Sequence, residues 1–454
     1  MATGNYIALF DHDDFLHPSV LFENMKVICE KNADYVYTDE CTFEGTNIFN
    51  IITRHCKPVY AIDILRANNY ICHFSVFKKT LLDKAGRFRS EYDGSQDHDL
   101  ILRLTEKAEN ICHIPKILYY WRSHPNSVAS DINAKTYAID AAKRAVEAHM
   151  ERAGLKAEVE SSKAFPTIFK FKYELKETPK VSILIPNKDH LGDLKKCINS
   201  ILEKSTYKDY EIIVIENNSI KTETFDYYKE IEKDDRIRVV HYEGEFNYSK
   251  INNFGESFAS GKYILLLNND TEVISEDWIE ELLMYAQRDD VAVVGGKLFY
   301  EDDTIQHAGI VIGLGSDRAA GHVHYGCDKE NVGYMGRLFF AQNMSAVTGA
   351  CMMVKKSIYD DLGGLDEEFS VAFNDVDFCL KARQKGYLNI FTPYCEMYHY
   401  ESKSRGFETT KSKKNRFKKE VKMFRTKWKD VIDAGDPYFN PNFSLDRPDF
   451  YIPG

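Results

Sequence analysis

Apolar residues in this chain come in two spacings. Short unbroken runs, Val181-Ser182-Ile183-Leu184-Ile185, Ile212-Ile213-Val214-Ile215, Val239-Val240 and Ile264-Leu265-Leu266-Leu267, predict buried strands. Between the first two runs, Leu194, Cys197, Ile198, Ile201 and Leu202 recur on one helical face. Tyr137, Ala138, Ala141, Ala145, Val146, His149 and Met150 show the same spacing and predict a connecting helix over residues 134–154. Strands alternating with helices predict an α/β domain with right-handed crossovers around a parallel sheet, and ligands of such sheets sit at the carboxyl ends of the strands. From Asp433 onward Pro, Asn and Asp accumulate, which predicts an extended tail laid over the surface.

The pattern also repeats. Gly4-Asn5-Tyr6-Ile7-Ala8-Leu9-Phe10-Asp11-His12-Asp13 aligns without a gap on Gly261-Lys262-Tyr263-Ile264-Leu265-Leu266-Leu267-Asn268-Asn269-Asp270, 257 positions later. A second block, 278 positions apart, pairs Gly86 with Gly364, Asp97 with Asp375, Asp99 with Asp377 and Pro115 with Pro393. The later copy therefore holds 21 extra residues, assigned to the Gly- and His-rich stretch 300–345. About ninety residues of strand-helix pattern precede its first block, whereas five residues precede Tyr6 in the earlier copy. The expected division is a truncated first domain over 1–130 that keeps only the acceptor half, a helical linker over 131–179, a complete domain over 180–425 and an extended tail over 426–454. A start inside a longer gene product would explain the half-domain equally well.

Composition narrows the function. With 454 residues, 44% hydrophobic, the chain can bury more than one core, and a net charge of −11 argues against nucleic acid as a partner. The ten cysteines are scattered singly, which fits a reducing cytoplasm rather than a disulfide framework. No apolar run reaches the length of a bilayer span, and the first residues lack the parts of a signal peptide.

Candidate chemistry clusters where the strands end. Asn268-Asn269-Asp270 follows the Ile264 run, and Asp270 with the Asn268 amide oxygen could hold a hard divalent cation; turn chemistry alone would also account for the triplet. The same place in the first copy carries Asp11 and Asp13. Asp375 and Asp377 open a predicted helix, where acidic residues ordinarily serve as caps, yet a carboxylate is also the base a hydroxyl nucleophile needs. His399 could ligate a metal, and Arg405 could make bidentate phosphate contacts. Pro186 and Asn187, then Glu216, Asn217 and Asn218, end two strands in polar groups suited to a base and ribose, while Lys250 and Asn253 add a cation and an amide.

In order, these residues resemble glycosyltransferase family 2 over residues 180–406. Ile185-Pro186-Asn187 is similar to the family's opening strand, and Glu216-Asn217-Asn218-Ser219 stands where members carry an acidic pair facing the nucleobase. Asn268-x-Asp270 takes the place of the metal-binding D-x-D with Asn for its first Asp, and Gly363-Gly364-Leu365-Asp366 looks like the acceptor-side turn. Asp375 falls on the catalytic base and His399 on the late metal or diphosphate histidine. Phe246-Asn247-Tyr248-Ser249, Gln306-His307-Ala308-Gly309, Phe373-Asn374-Asp375-Val376-Asp377 and Tyr400-Glu401-Ser402-Lys403-Ser404-Arg405-Gly406 resemble rhamnosyl and O-antigen transferases, several of which hold two such domains in tandem. In the first copy Asp11, Asp13 and Asp97 match the motif positions, and Trp121-Arg122-Ser123-His124 is similar to a Trp-Arg-x-His ending, although His124 meets His399 only through a gap.

The resemblance implies a GT-A fold, a Rossmann-like, mostly parallel sheet with flanking helices, in one complete and one N-terminally truncated copy. It implies an inverting hexosyltransferase that uses Mg²⁺ or Mn²⁺ to move a sugar from a nucleotide-diphospho-sugar to a polysaccharide or lipid-linked glycan, in the cytoplasm or at the inner face of the plasma membrane. Asp375 would be the base, Asn268, Asp270 and His399 the metal ligands, and Pro186, Asn187, Glu216, Asn217, Asn218, Lys250, Asn253, Gly364, Asp366, Asp377 and Arg405 substrate contacts. A metal-dependent phosphohydrolase or nucleotidyltransferase would use similar strand-end carboxylates, and the first domain also suits a non-catalytic carbohydrate-binding or scaffold module.

Overall fold

A computed structural model describes residues 2–123, 136–400 and 410–453 of the chain. Two sheets carry the architecture. The larger is ten-stranded, and its main path runs Ile237–His241, Tyr210–Glu216, Val181–Asn187, Tyr263–Leu267, Cys351–Lys355, Val291–Phe299, Leu388–His399 and Thr271–Val273. The first four strands are mutually parallel, as the alternation of strands and helices predicts. Beyond Tyr263–Leu267 the sheet is mixed: Cys351–Lys355 is antiparallel to both of its neighbours, and Val291–Phe299 and Leu388–His399 run parallel.

The apolar runs are continuous rather than alternating because both faces of this sheet are covered. Every residue of Tyr263–Leu267 is buried, as is all of Val181–Asn187 except the half-buried Pro186. On helix Leu191–Lys204 the predicted face is the buried one, at Leu194, Cys197, Ile198 and Ile201, with Leu202 at its half-buried margin. Each such aliphatic side chain contributes about 1.5–3 kcal/mol when fully withdrawn from water.

The smaller sheet is built from residues 6–123 in the order Tyr6–Ala8, Ser75–Lys78, Tyr35–Glu44, Ile111–Ser123 and Phe15–Leu16, with Ile51–His55 against Tyr35–Glu44. Strand order and direction match the acceptor-side half of the larger sheet pair for pair. Most of the extra residues in the larger unit fall between Val291–Phe299 and Cys351–Lys355; strand Ile305–His307 there answers to Ile51–His55 of the smaller unit, and the hairpin Ile310–Ile312 with Ala320–His322 and strand Gln342–Met344 are added.

Two segments differ from their sequence reading. The linker is helical over Thr136–Arg152, but Ala157–Ser161 and Phe169–Tyr173 then form an antiparallel hairpin whose alternating Val159, Phe169, Phe171 and Tyr173 are buried. The period of two wins there because one face packs on the larger unit, with Tyr173 edge-on to Tyr285. The C-terminal tail is not merely draped over the surface. Lys429–Ala434 is a short helix, and Phe439, Phe443 and Phe450 beyond it are buried in one aromatic cluster. Asn440 meanwhile donates to Asp39 Oδ2 at 2.9 Å and to the Lys57 carbonyl at 2.8 Å, so the tail fastens the smaller unit to the larger.

Charge closes the remaining seam. Asp63 on helix Ile62–Ala67 is buried against Arg288, accepts from the Asn343 amide at 2.8 Å, and donates its own N–H to Asn343 Oδ1 at 3.0 Å. Burial alone would raise the Asp63 carboxyl, but the Arg288 and Arg66 guanidiniums outweigh it and hold the group below its ordinary range.

Candidate active site

Strand Tyr263–Leu267 stops at Leu267, and the chain turns through Asn268–Asp270 before Thr271–Val273 pairs antiparallel with the end of Leu388–His399. Thr271 lies opposite His399, and this register brings His399 Nε2 to 3.2 Å from Asp270 Oδ1 and 3.0 Å from the Asn268 amide nitrogen. The other ring nitrogen, Nδ1, is 3.0 Å from Gln306 Oε1. A carbonyl oxygen can only accept, so Nδ1 donates in this contact, and in the neutral ring that leaves Nε2 as a lone pair toward Asp270 and Asn268.

That donor set suits a hard or borderline cation. A carboxylate oxygen and, with the Asn268 amide turned over, an amide oxygen are hard donors of the kind Mg²⁺ and Mn²⁺ take, and the imidazole nitrogen favours Mn²⁺ of the two. Asp270 and His399 are buried and Asn268 half-buried, so few waters would compete.

Asp375 sits in the first turn of helix Asn374–Gln384, entered through Phe373 at φ 64°. Its Oδ2 accepts from the Gly349 N–H at 2.8 Å and its Oδ1 from the Val376 N–H at 2.8 Å. The next residue, Ala350, accepts from the Asn268 N–H at 3.1 Å. The Asn268–Asp270 turn and the Asp375 carboxylate are therefore fastened to the same dipeptide, Gly349-Ala350, which leads into the strand paired with Tyr263–Leu267. Gly349 is tightly enclosed: a β-carbon there would lie 3.2 Å from the Tyr248 hydroxyl, which donates to the Gly349 carbonyl at 2.8 Å, and 3.5 Å from Asp375 Cβ.

At the parallel end, Asn187 reaches the same turn, its Oδ1 accepting from Asn269 at 2.6 Å while its amide donates to the Tyr228 hydroxyl at 2.7 Å. Pro186 is half-buried opposite Ile215. Glu216 is buried and accepts from the Ser219 N–H at 2.5 Å and the Tyr228 hydroxyl at 2.5 Å, and Asn217 and Asn218 both donate to the Gly244 carbonyl, at 3.0 and 2.7 Å. These residues shape the wall at the carboxyl ends of the parallel strands, with Asn218 in the left-handed region at φ 60°.

Several residues expected to touch substrate are engaged otherwise. Asp377 is fully buried, accepting from Trp428 Nε1 at 2.8 Å and pairing with Lys427 at 2.7 Å, so it anchors the C-terminal helix Lys411–Lys427. Asp366 shares the same Lys427, also at 2.7 Å. The Asn253 amide is consumed by the 364–367 turn, accepting from Leu365 N–H at 2.9 Å and the Tyr359 hydroxyl at 2.6 Å, and a β-carbon on Gly364 would meet its Oδ1 at 2.6 Å. Lys250 is exposed in the first turn of helix Tyr248–Glu256. Arg405 and His124 lie outside the described residues. Gln306, Tyr248 and Gly349 had no assigned role in the sequence reading; their partners are 93 and 101 residues distant, so no local spacing marks them.

In the smaller unit the corresponding strand end is chemically different. Asp11 Oδ2 faces His73 Nε2 at 3.7 Å, Asp13 lies 3.9 Å from His12, and Asp97 accepts from Asn69 at 2.9 Å. Trp121 stands where the larger unit has His399, one register step beyond the Phe15–Tyr120 pair.

Residues 182–363 match the glycosyl transferase family 2 model. The uncharacterized protein y4gI of Sinorhizobium fredii is 43% identical over the whole chain, which covers 50% of that protein. The O-antigen biosynthesis protein RfbC of Myxococcus xanthus is 32% identical over 98% of the chain and 34% of its own length. The chain thus spans half or less of these relatives. A crystal structure of GalNAc-T7 with UDP, GalNAc and Mn²⁺ superposes at a TM-score of 0.45 with 15% identity, over 59% of this chain and 52% of that one.

Proposed function

We propose that the larger unit is an inverting glycosyltransferase that takes a nucleotide-diphospho-sugar donor and a hydroxyl of a cell-surface polysaccharide or its lipid-linked precursor. The observation that carries this reading is the joint attachment of the Asn268–Asp270 turn and Asp375 to Gly349-Ala350. It sets the Asn268–Asp270 turn and the Asp375 carboxylate at one strand end, which supports a cation and a base acting side by side. Asn268, Asp270 and His399 would hold Mg²⁺ or Mn²⁺, whose charge would offset that of the departing diphosphate.

Asp375 removes the proton of the acceptor hydroxyl as that oxygen bonds to the anomeric carbon. The bond from carbon to diphosphate breaks on the opposite side, so configuration inverts. Asn187, Glu216, Asn217 and Asn218 border the base and ribose. Asp377, Asp366 and Asn253 hold the framework and are not assigned to substrate. The smaller unit, without a histidine at the His399 position, is assigned a supporting role. Among the described residues no helix is long and apolar enough to cross a membrane.

The test begins with thermal-shift screening of sugar nucleotides with Mn²⁺, since a ligand at 100 times its dissociation constant raises stability by about 2.7 kcal/mol. With the donor found, Asp375→Asn lowers transfer about 10²–10⁴-fold while donor affinity stays within two-fold of wild type. Near-wild-type turnover of that variant refutes the assignment, and release of free phosphate or a transferred nucleotide instead of a glycosidic product would identify a phosphohydrolase or nucleotidyltransferase.

A further inference from the structure

Building on the metal site assigned above, we infer that Gln306 is a positioning residue which keeps the His399 proton away from the cation. Two acceptors compete for that proton. Asp270 Oδ1, 3.2 Å from Nε2, would draw it to the nitrogen that must face the metal. Gln306 Oε1, 3.0 Å from Nδ1, draws it to the other side. A carboxylate is the stronger acceptor, so without Gln306 the imidazole presents N–H where a lone pair is required. Gln306 decides which tautomer the buried ring adopts.

The backbone fixes Gln306 for this task. It lies in strand Ile305–His307, which pairs with Val291–Phe299 through Leu298–His307 and Phe299–Ile305. Gln306 is buried, and its carbonyl is 3.1 Å from His322 Nδ1 on the adjoining hairpin. The smaller unit pairs Ile51–His55 in the same place, with His55 opposite Glu40 as His307 is opposite Leu298, so Arg54 stands at the position of Gln306 and Trp121 at that of His399. The histidine and the acceptor that orients it thus occur together in one unit and are absent together from the described residues of the other.

The experiment is titration of the whole chain with Mn²⁺ alone, following free Mn²⁺ by electron paramagnetic resonance. Gln306→Leu removes the acceptor and weakens Mn²⁺ binding about 10–100-fold, the usual effect of losing a residue that orients a metal histidine. Gln306→Glu, which can only accept at that position, keeps binding within a few-fold of wild type. If Gln306→Leu fails to fold, Gln306→Met, of similar length to glutamine, replaces it. In a His399→Ala background the Gln306→Leu change has no further effect.

Gln306→Leu within two-fold of wild type overturns the inference. So does Gln306→Glu binding as weakly as Gln306→Leu, or a further ten-fold loss in the His399→Ala background. Unchanged Mn²⁺ binding by His399→Ala alone is a separate result, one that removes the metal site itself.

Discussion

Asp63 offers a direct measure of how firmly the two units are joined. Its carboxylate takes up Arg288, the Arg66 Nη1 at 3.3 Å and the Asn343 amide at 2.8 Å, all withdrawn from water. Asp63→Ala leaves the Arg288 side chain, 3% exposed, with only the half-exposed Asp290 at 2.7 Å, and strands one Asn343 N–H. Removing one partner of a buried pair ordinarily costs 3–5 kcal/mol, and the surviving Asp290 contact places this case at the lower end, about 3 kcal/mol, or about a hundred-fold in the equilibrium constant. The loss should show as a lower urea midpoint for separation of the units, read by tryptophan fluorescence with the m-value fitted independently. Asp63→Ala combined with Arg288→Met replaces an uncompensated charge with apolar contact and recovers part of the loss. A single variant within 1 kcal/mol of wild type, or a double variant weaker than the single, would show that the ion pair does not hold the seam.

Two further outcomes follow from the same contacts. Glu106 accepts from His149 at 2.7 Å and from Arg152 at 2.6 Å; burial pushes its carboxyl up, but these partners outweigh burial and bring it from 4.5 down to about 2. A depressed folded-state value means stability that is complete above about pH 4.5 and lost as pH falls toward 2, up to about 3 kcal/mol, so Glu106→Gln should flatten the acid limb of a denaturation series over that window. Asp377→Ala should cost about 1–3 kcal/mol by leaving the buried Trp428 Nε1 without its acceptor while Lys427 keeps Asp366, yet leave donor affinity within two-fold; a selective loss of donor binding at wild-type stability would return Asp377 to the substrate site.

The difference between Asp375 and Asp377 shows where sequence reading stops. Both stand in the first turn of one helix, but two residues correspond to about 200° of rotation, so one carboxylate meets Gly349 at the strand end while the other faces Trp428. The pattern marks the turn and not the direction it faces. The parallel strands were legible because burial on both faces leaves continuous apolar runs, and the Asn268, Asp270 and His399 convergence was legible only through the family resemblance, since no periodicity connects residues 131 positions apart. Gln306 stands in the Gln306-His307-Ala308-Gly309 motif without a role that spacing reveals, because its contact depends on which ring nitrogen of His399 it meets. The hairpin at Ala157–Tyr173 was hidden by a helix that ends just before it.

The two sheets share an order of strands but not a chemistry, and the reason is physical. Strand pairing is carried by backbone N–H and C=O groups that every residue but proline supplies in full, so order and register can persist while side chains change. The larger unit has Asn268, Asp270 and His399, with Gln306 behind the histidine and Gly349 tucked beneath Tyr248. The smaller unit keeps Asp11 and Asp13 at the equivalent turn but puts Trp121 at the histidine position and sets Asp11 against His73. Its Glu40 carboxylate, which burial would raise, is instead held well below its ordinary range by Lys57 at 3.3 Å, so the negative charge is already neutralised by protein. A cation brought there would face Lys57 as a competitor rather than Gln306 as an ally. Possession of the sheet is therefore not sufficient for the chemistry, and the larger unit's site rests on the side chains at one strand end.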